Sequence, residues 1–113
     1  MFDPTTNAEY IPIDPAAVPY AFRIKLWDRT YGLHVRWNDI GKFYTVDLYD
    51  NNELPLVYGD PVRYGRPMFG AVEDERFPLP VIIPYAKPGN SIGVVTQNNL
   101  GTDVKLWLYE RWT

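Results

Sequence analysis

The chain has 113 residues, a formal charge of −3, one histidine and no cysteine. One domain is expected at this length, since roughly 6,400 Å² of folded surface against about 19,000 Å² extended leaves enough difference to bury a core. The acidic balance and singly scattered Lys and Arg exclude a phosphate-binding surface built on clustered cations, and the missing cysteines exclude disulfides, thiolate nucleophiles and Cys-ligated zinc.

No run approaches the ~20 apolar residues of a membrane span, and the opening Met-Phe-Asp-Pro-Thr-Thr-Asn has no basic segment followed by an apolar one. A soluble chain without a secretory signal and without membrane contact is therefore expected. Aromatic residues make up 16% of the sequence, with four Trp and nine Tyr, a bias that favours strands and the centres of protein interfaces. The 11 prolines are about twice the usual ~5% and act against helices and long regular sheets.

Residues 1–19 carry Pro4, Pro12, Pro15 and Pro19, and read as an extended arm with at most one short strand around Tyr10 to Ile13. Two readings of the arm stand side by side: a frayed terminus, or a segment that drapes over a neighbouring subunit. On the second, deleting residues 1–10 is expected to weaken assembly and leave the domain folded. The domain proper is placed at residues 20–113. Tyr20 to Trp27 alternates cleanly, with Tyr20, Phe22, Ile24 and Leu26 on one side and Ala21, Arg23, Lys25 and Trp27 on the other, which is the strand period. Asp28-Arg29-Thr30 is expected to turn the chain into an antiparallel neighbour.

Tyr31 to Tyr49 reads as a hairpin. Its first arm sets Tyr31, Leu33, Val35 and Trp37 on one face; its second sets Tyr44, Val46 and Leu48 on one face, with Phe43, Thr45, Asp47 and Tyr49 opposite. Gly41 is expected to supply the positive φ of the link. Asp50 to Glu53 reads as a polar turn and Leu54 to Tyr58 as a strand in which Pro55 avoids a central ladder position. Met68 to Phe77 is compatible with a strand or about two helical turns. Leu79 to Tyr85 is expected to be a short or edge strand because of Pro80 and Pro84. Lys87 to Asn90 reads as a turn, Ile92 to Thr96 as a strand, Gln97 to Gly101 as a loop and Asp103 to Arg111 as the last strand, apolar or aromatic on both faces. The sum is an all-β, single-domain antiparallel β-sandwich or small barrel of about 7–9 short strands with an extended N-terminal arm.

No catalytic, cofactor-binding or metal-binding set emerges. His34 lies in mid-strand beside Arg36, and the spacing places no nucleophile near it. One His and no Cys leave only carboxylates for a zinc site. Glu73-Asp74-Glu75 and the carboxylates Asp47, Asp50, Glu53 and Asp60 match no hydrolase or EF-hand spacing, and an Asx-type turn accounts for Asp50. The glycines match no phosphate-binding loop. The aromatics off the presumed core face, Trp27, Phe43, Tyr49, Trp107 and Tyr109, with Phe2 and Tyr10 in the arm and Trp112 near the end, are the candidate interface. Planar rings of this kind serve protein contact or sugar stacking, so a carbohydrate-binding β-sandwich is the alternative reading. A second sheet covering the same rings is equally compatible with the pattern.

A set of residues spread over most of the chain carries a resemblance. These are Ile11-Pro12-Ile13, Phe22 and Leu26, Tyr31, Leu33, Val35, Arg36-Trp37-Asn38, Gly41, Phe43-Tyr44, Val46-Asp47-Leu48-Tyr49-Asp50, Asn99-Leu100-Gly101-Thr102, Val104, Leu106 and Tyr109. The pattern resembles a family of small tailed-phage and prophage proteins that includes a cyanophage baseplate plug. It differs in having Asn51-Asn52 where a glycine is usual and a longer Pro-rich arm. The resemblance implies a non-enzymatic virion protein at the junction of tail tube and baseplate hub. It also implies assembly in the host cytoplasm, contacts with tube and hub proteins, and several copies in threefold or sixfold symmetry.

Overall fold

The computed structural model describes residues 2–3, 8–27, 29–71, 77–78, 81–86 and 93–109. Those residues form eight strands: β1 (Phe2–Asp3), β2 (Ala8–Ile11), β3 (Tyr20–Leu26), β4 (Arg29–Asn38), β5 (Phe43–Tyr49), β6 (Pro55–Pro61), β7 (Val81–Ala86) and β8 (Val104–Tyr109). Short 3-10 helices at Pro15–Ala17 and Met68–Ala71 are the remaining regular elements. All strand pairs are antiparallel. They make two separate four-stranded sheets, sheet A in the order β1-β2-β8-β7 and sheet B in the order β3-β4-β5-β6. The fold is all-β and no barrel closes; the two sheets share one core, as in a sandwich.

Sheet B is the meander expected from the period-two pattern. Tyr31, Leu33 and Val35 of β4 and Tyr44, Val46 and Leu48 of β5 are buried, and Leu33↔Leu48, Val35↔Val46 and Trp37↔Tyr44 sit side by side across the ladder. From sheet A, Ile11, Ile82, Val104 and Leu106 meet them in one continuous core. Each large side chain withdrawn from water in this way stabilises the fold by roughly 1.5–3 kcal/mol. The Tyr44 hydroxyl, carried into this core, donates to the Gln97 carbonyl and so avoids an unmade hydrogen bond.

The turns depart in detail from the sequence reading. At the β4–β5 link the positive φ falls on Lys42 (φ 60), not on Gly41. Gly41 instead lies against the Phe43 ring: a Cβ there would stand 2.2 Å from it, so a larger residue would displace that ring. Asn38 organises the link, its Oδ1 accepting from Ile40 N at 3.1 Å and Gly41 N at 2.9 Å. At the β3–β4 turn, Trp27 takes φ 64, and Arg29 and Thr30 already belong to β4.

The arm contributes a strand to the domain's own sheet. β2 lies between β1 and β8, with Tyr10 opposite Trp107 and Ile11 opposite Leu106, and Ile11 and Ile13 are buried. Deleting residues 1–10 would remove most of β2 and the Tyr10 ring that packs on Trp107, so the deletion is expected to lower the domain's stability.

Residues 93–96 form no strand, in contrast to the expectation for Ile92 to Thr96. Asn99 instead holds a compact loop, donating to the Val94 carbonyl at 2.9 Å and accepting from Thr96 N at 2.7 Å. Side-chain hydrogen bonds of this local kind compete with a ladder. Met68–Ala71 is a single 3-10 turn, tied to β6 where Asp60 accepts from Phe69 N at 2.7 Å. The rest of the ambiguous 68–77 stretch, Glu73-Asp74-Glu75 included, lies outside the described residues apart from buried Phe77, as does the turn expected at Lys87 to Asn90. β7 is an edge strand, the position its Pro84 favours.

Candidate interaction surfaces

Alternation along β2, β8 and β7 sends every second side chain away from the core, and on sheet A these are mostly rings. Tyr10, Trp107 and Ile83 occupy one row across the three strands, Lys105 and Tyr85 the next row toward one end, and Tyr109 and Val81 the row toward the other. Tyr10 meets Trp107 edge to face at 5.3 Å, and Lys105 Nζ lies 4.2 Å from the Tyr10 ring centre. The indole N–H of Trp107 donates to the Tyr85 carbonyl at 2.9 Å, which lays the ring across β7. Tyr64, from the loop after β6, stacks on Tyr85 at 5.1 Å, and its hydroxyl accepts from Ala86 N at 3.2 Å.

The result is a graded surface. Trp107 is only 4% exposed and serves as a base for Tyr10, whereas Tyr85 and Tyr109 are 43% and 42% exposed. Burial of its surroundings, then the neighbouring Tyr85 and Tyr64, push the Tyr109 hydroxyl pKa upward. The Tyr109 phenol therefore keeps its proton, and both rings offer a hydroxyl along with apolar area.

The outer face of sheet B is more polar. Ala21 and Arg23 of β3, Gly32 and His34 of β4, and Tyr49 of β5 line an open groove of about 350 Å³, completed by Asp50 and Glu53. Arg23 reaches over this groove to Asn51, donating to its carbonyl at 2.9 Å and to its side-chain oxygen. Beside it Asp47 is buried, flanked by Arg36 at 3.0 Å and His34 Nδ1 at 3.7 Å. Tyr49 meets Tyr58 edge to face at 6.1 Å, and Arg63 lies 4.3 Å over the Phe43 ring.

Tyr49 is the sole hydroxyl residue lining the groove, so the His34–Asp47 pair has no serine, threonine or cysteine nucleophile to activate there. The carboxylates have structural tasks: Asp47 accepts from Gly59 N, Asp50 from Asn52 N and Leu54 N, and Asp60 from Phe69 N. Among the described residues no three His, Cys, Asp or Glu side chains gather as a metal site.

The nominated aromatics divide between the faces. Tyr10, Trp107 and Tyr109 come together on sheet A, Phe43 and Tyr49 lie on sheet B, and Trp27, 41% exposed, stands at the β3–β4 turn. Phe2 pairs in β1 opposite Glu9, with its side chain outside the described residues, and Trp112 lies outside them altogether. Sequence reading passed over Tyr85 and Tyr64. The signal for Tyr85 was present in its spacing of two from Ile83 and Val81.

Two antiparallel sheets packed in one sandwich, the outer face of sheet A lined largely by aromatic rings, define a small all-β protein. The family described as cyanophage baseplate Pam3 plug gp18 matches residues 8–111, nearly the whole chain, and the chain belongs to that family. It is thus placed among the structural components of a phage tail baseplate. None of the curated proteins and none of the solved structures matches it.

Proposed function

We propose that this protein is a plug or hub-associated subunit at the junction of tail tube and baseplate, acting through protein–protein contacts. The observation that carries this reading is membership of the baseplate plug family over residues 8–111. The exposed tyrosines on sheet A support it, because rigid aromatic side chains over a packed base present area with little conformational entropy to lose on binding. Tyr85 and Tyr109, with Tyr64 and Tyr10 around them, are the contact residues of this proposal, and Trp107 positions Tyr10. Trp27, Tyr49 and Phe43 form a second, more polar contact region on sheet B. The protein resides in the virion tail after assembly in the host cytoplasm. It is present in several copies around the tail axis, in threefold or sixfold symmetry, beside tube and hub proteins.

A mass-spectrometric inventory of purified tails tests the location, and the Tyr85→Ala/Tyr109→Ala double variant tests the face. The variant chain is expected to fold and to be depleted from tails, and a glycan array with the native chain is expected to be blank. Absence of the native chain from tails overturns the proposal.

A further inference from the structure

Every open sheet presents two edges, and among the described residues three of the four are blunted by shortness, proline or register shifts. β1 is two residues long, and β7 has Pro84 in its interior. β6 begins at Pro55 and ends at Pro61, and register shifts interrupt its pairing with β5. Such devices keep a row of unpaired N–H and C=O groups from templating another strand. β3 is guarded only by the charges of Arg23 and Lys25, which repel a like-charged strand and admit an acidic one. It pairs with β4 over Tyr20 to Leu26 without a shift and contains no proline, and no described strand lies along its other side.

The two faces of β3 differ in character. Tyr20, Phe22 and Ile24 point to the core side, where they pack on the core and yet remain partly exposed, with the Tyr20 and Phe22 rings stacked at 5.3 Å. Ala21, Arg23 and Lys25 point outward and are exposed, and His34 and Arg36 follow on the same face of β4. The edge thus pairs an unfinished apolar layer with the exposed cations Arg23 and Lys25, while Arg36 on β4 is already engaged by Asp47.

We infer that the free edge of β3 takes up an extended segment of a neighbouring protein as an added strand, with side chains that alternate apolar and acidic. The apolar residues extend the layer of Phe22 and Ile24, the acidic ones lie beside Arg23 and Lys25, and the backbone supplies the ladder. A second copy of β3 is the wrong occupant: paired with itself about a twofold axis, the strand sets Arg23 and Lys25 of one chain beside the same cations of the other. This inference rests on the baseplate reading, which supplies the neighbour, and goes beyond it by naming the edge and the chemistry of what binds there.

The test compares hydrogen exchange in the isolated full-length chain and in purified tails, together with incorporation of Lys25→Glu and Arg23→Glu/Lys25→Glu chains. The single variant leaves the Arg23 contact to Asn51 intact, so a folding defect in the double variant does not obscure the result. Within residues 21–25, amides not bonded to β4 are expected to exchange freely in the isolated chain and about tenfold or more slower in tails. Both variants are expected to keep the native melting temperature, or the single one at least, and to enter tails about tenfold less. Native chain present in tails with these amides still open overturns the edge inference and leaves the baseplate role standing. Absence from tails overturns both. Protection of the same amides in a concentrated solution of the isolated chain, with dimers, overturns the acidic partner in favour of self-pairing.

Discussion

Asp47 and Arg36 stand 3.0 Å apart on the outer face of sheet B, the carboxylate side chain 5% exposed and the guanidinium 52%. The buried carboxylate is the more constrained partner. Its Oδ1 accepts from Gly59 N at 2.7 Å, whereas Oδ2 receives no aligned N–H, so its attraction to Arg36 is coulombic. Asp47→Ala removes the acceptor of the Gly59 N–H and is expected to destabilise by about 0.5–1.5 kcal/mol, with Asp47→Asn costing less because an acceptor survives. Urea unfolding measures both; a neutral Asp47→Ala would show that the carboxylate does not hold β6 to β5.

Leu48 and Val46 project into the shared core at 0% and 1% exposure. Leu48→Ala is expected to cost about 2–5 kcal/mol, and Val46→Ala less, since it removes fewer methyl groups. Ile40→Ala at the 97% exposed tip of the β4–β5 link is the control, expected within about 0.5 kcal/mol of the native chain. Equal effects at all these positions would refute the assignment of faces.

Gly101 takes φ +92, and a Cβ built there stands 2.0 Å from the Ile13 carbonyl oxygen. Both the backbone conformation and the close approach exclude other residues. Gly101→Ala therefore carries about 1–3 kcal/mol of backbone strain together with displacement of the segment after β2. The readout is a lowered midpoint in urea, with increased exchange at Ile13. A native midpoint would mean that the loop can move away at no cost.

Burial raises the pKa of Tyr44 above the ordinary tyrosine value, and the same cause, then Tyr85 and Tyr64, raises that of Tyr109. A hydroxyl whose pKa is higher folded than unfolded keeps its proton better in the native state. Its contribution is thus complete below about pH 10 and is lost as pH climbs through the folded value. Stability is expected to fall on the alkaline side, less steeply in Tyr44→Phe, and ultraviolet absorbance is expected to show late-ionising phenols. A pH-independent unfolding curve from 9 to 12, ~1 unit below and ~2 above the ordinary value, would contradict this.

On the aromatic face, position decides the outcome. Trp107→Ala removes the base beneath Tyr10 and is expected to destabilise by about 3–5 kcal/mol. Tyr85→Ala and Tyr109→Ala, at exposed positions, are expected to cost no more than about 1 kcal/mol each and to lower recovery in tails. Circular dichroism melts paired with tail composition separate the two effects.

The alternation in Tyr20 to Tyr49 and in Val104 to Tyr109 determined the strands, their core-facing residues and the antiparallel meander of sheet B. Period two is a local property, and tight links leave adjacent strands few other ways to pair. The resemblance, carried by residues from Ile11 to Tyr109, likewise needed no coordinates. Long-range pairing was not legible. That β2 slots in beside β8, that Tyr64 swings from a loop onto Tyr85, and that Trp107 becomes a buried base all depend on which strands meet across the chain. A residue's own neighbours do not encode that choice. The same is true of Asp47. Its face, opposite Tyr44, Val46 and Leu48, was legible, but only the bulged β6, bringing Gly59 over it, together with Arg36 alongside, made it a buried group. Tertiary structure decided which aromatics are covered and which are free, because burial is set by what packs on a face, while the sequence by itself determines only which face a side chain takes.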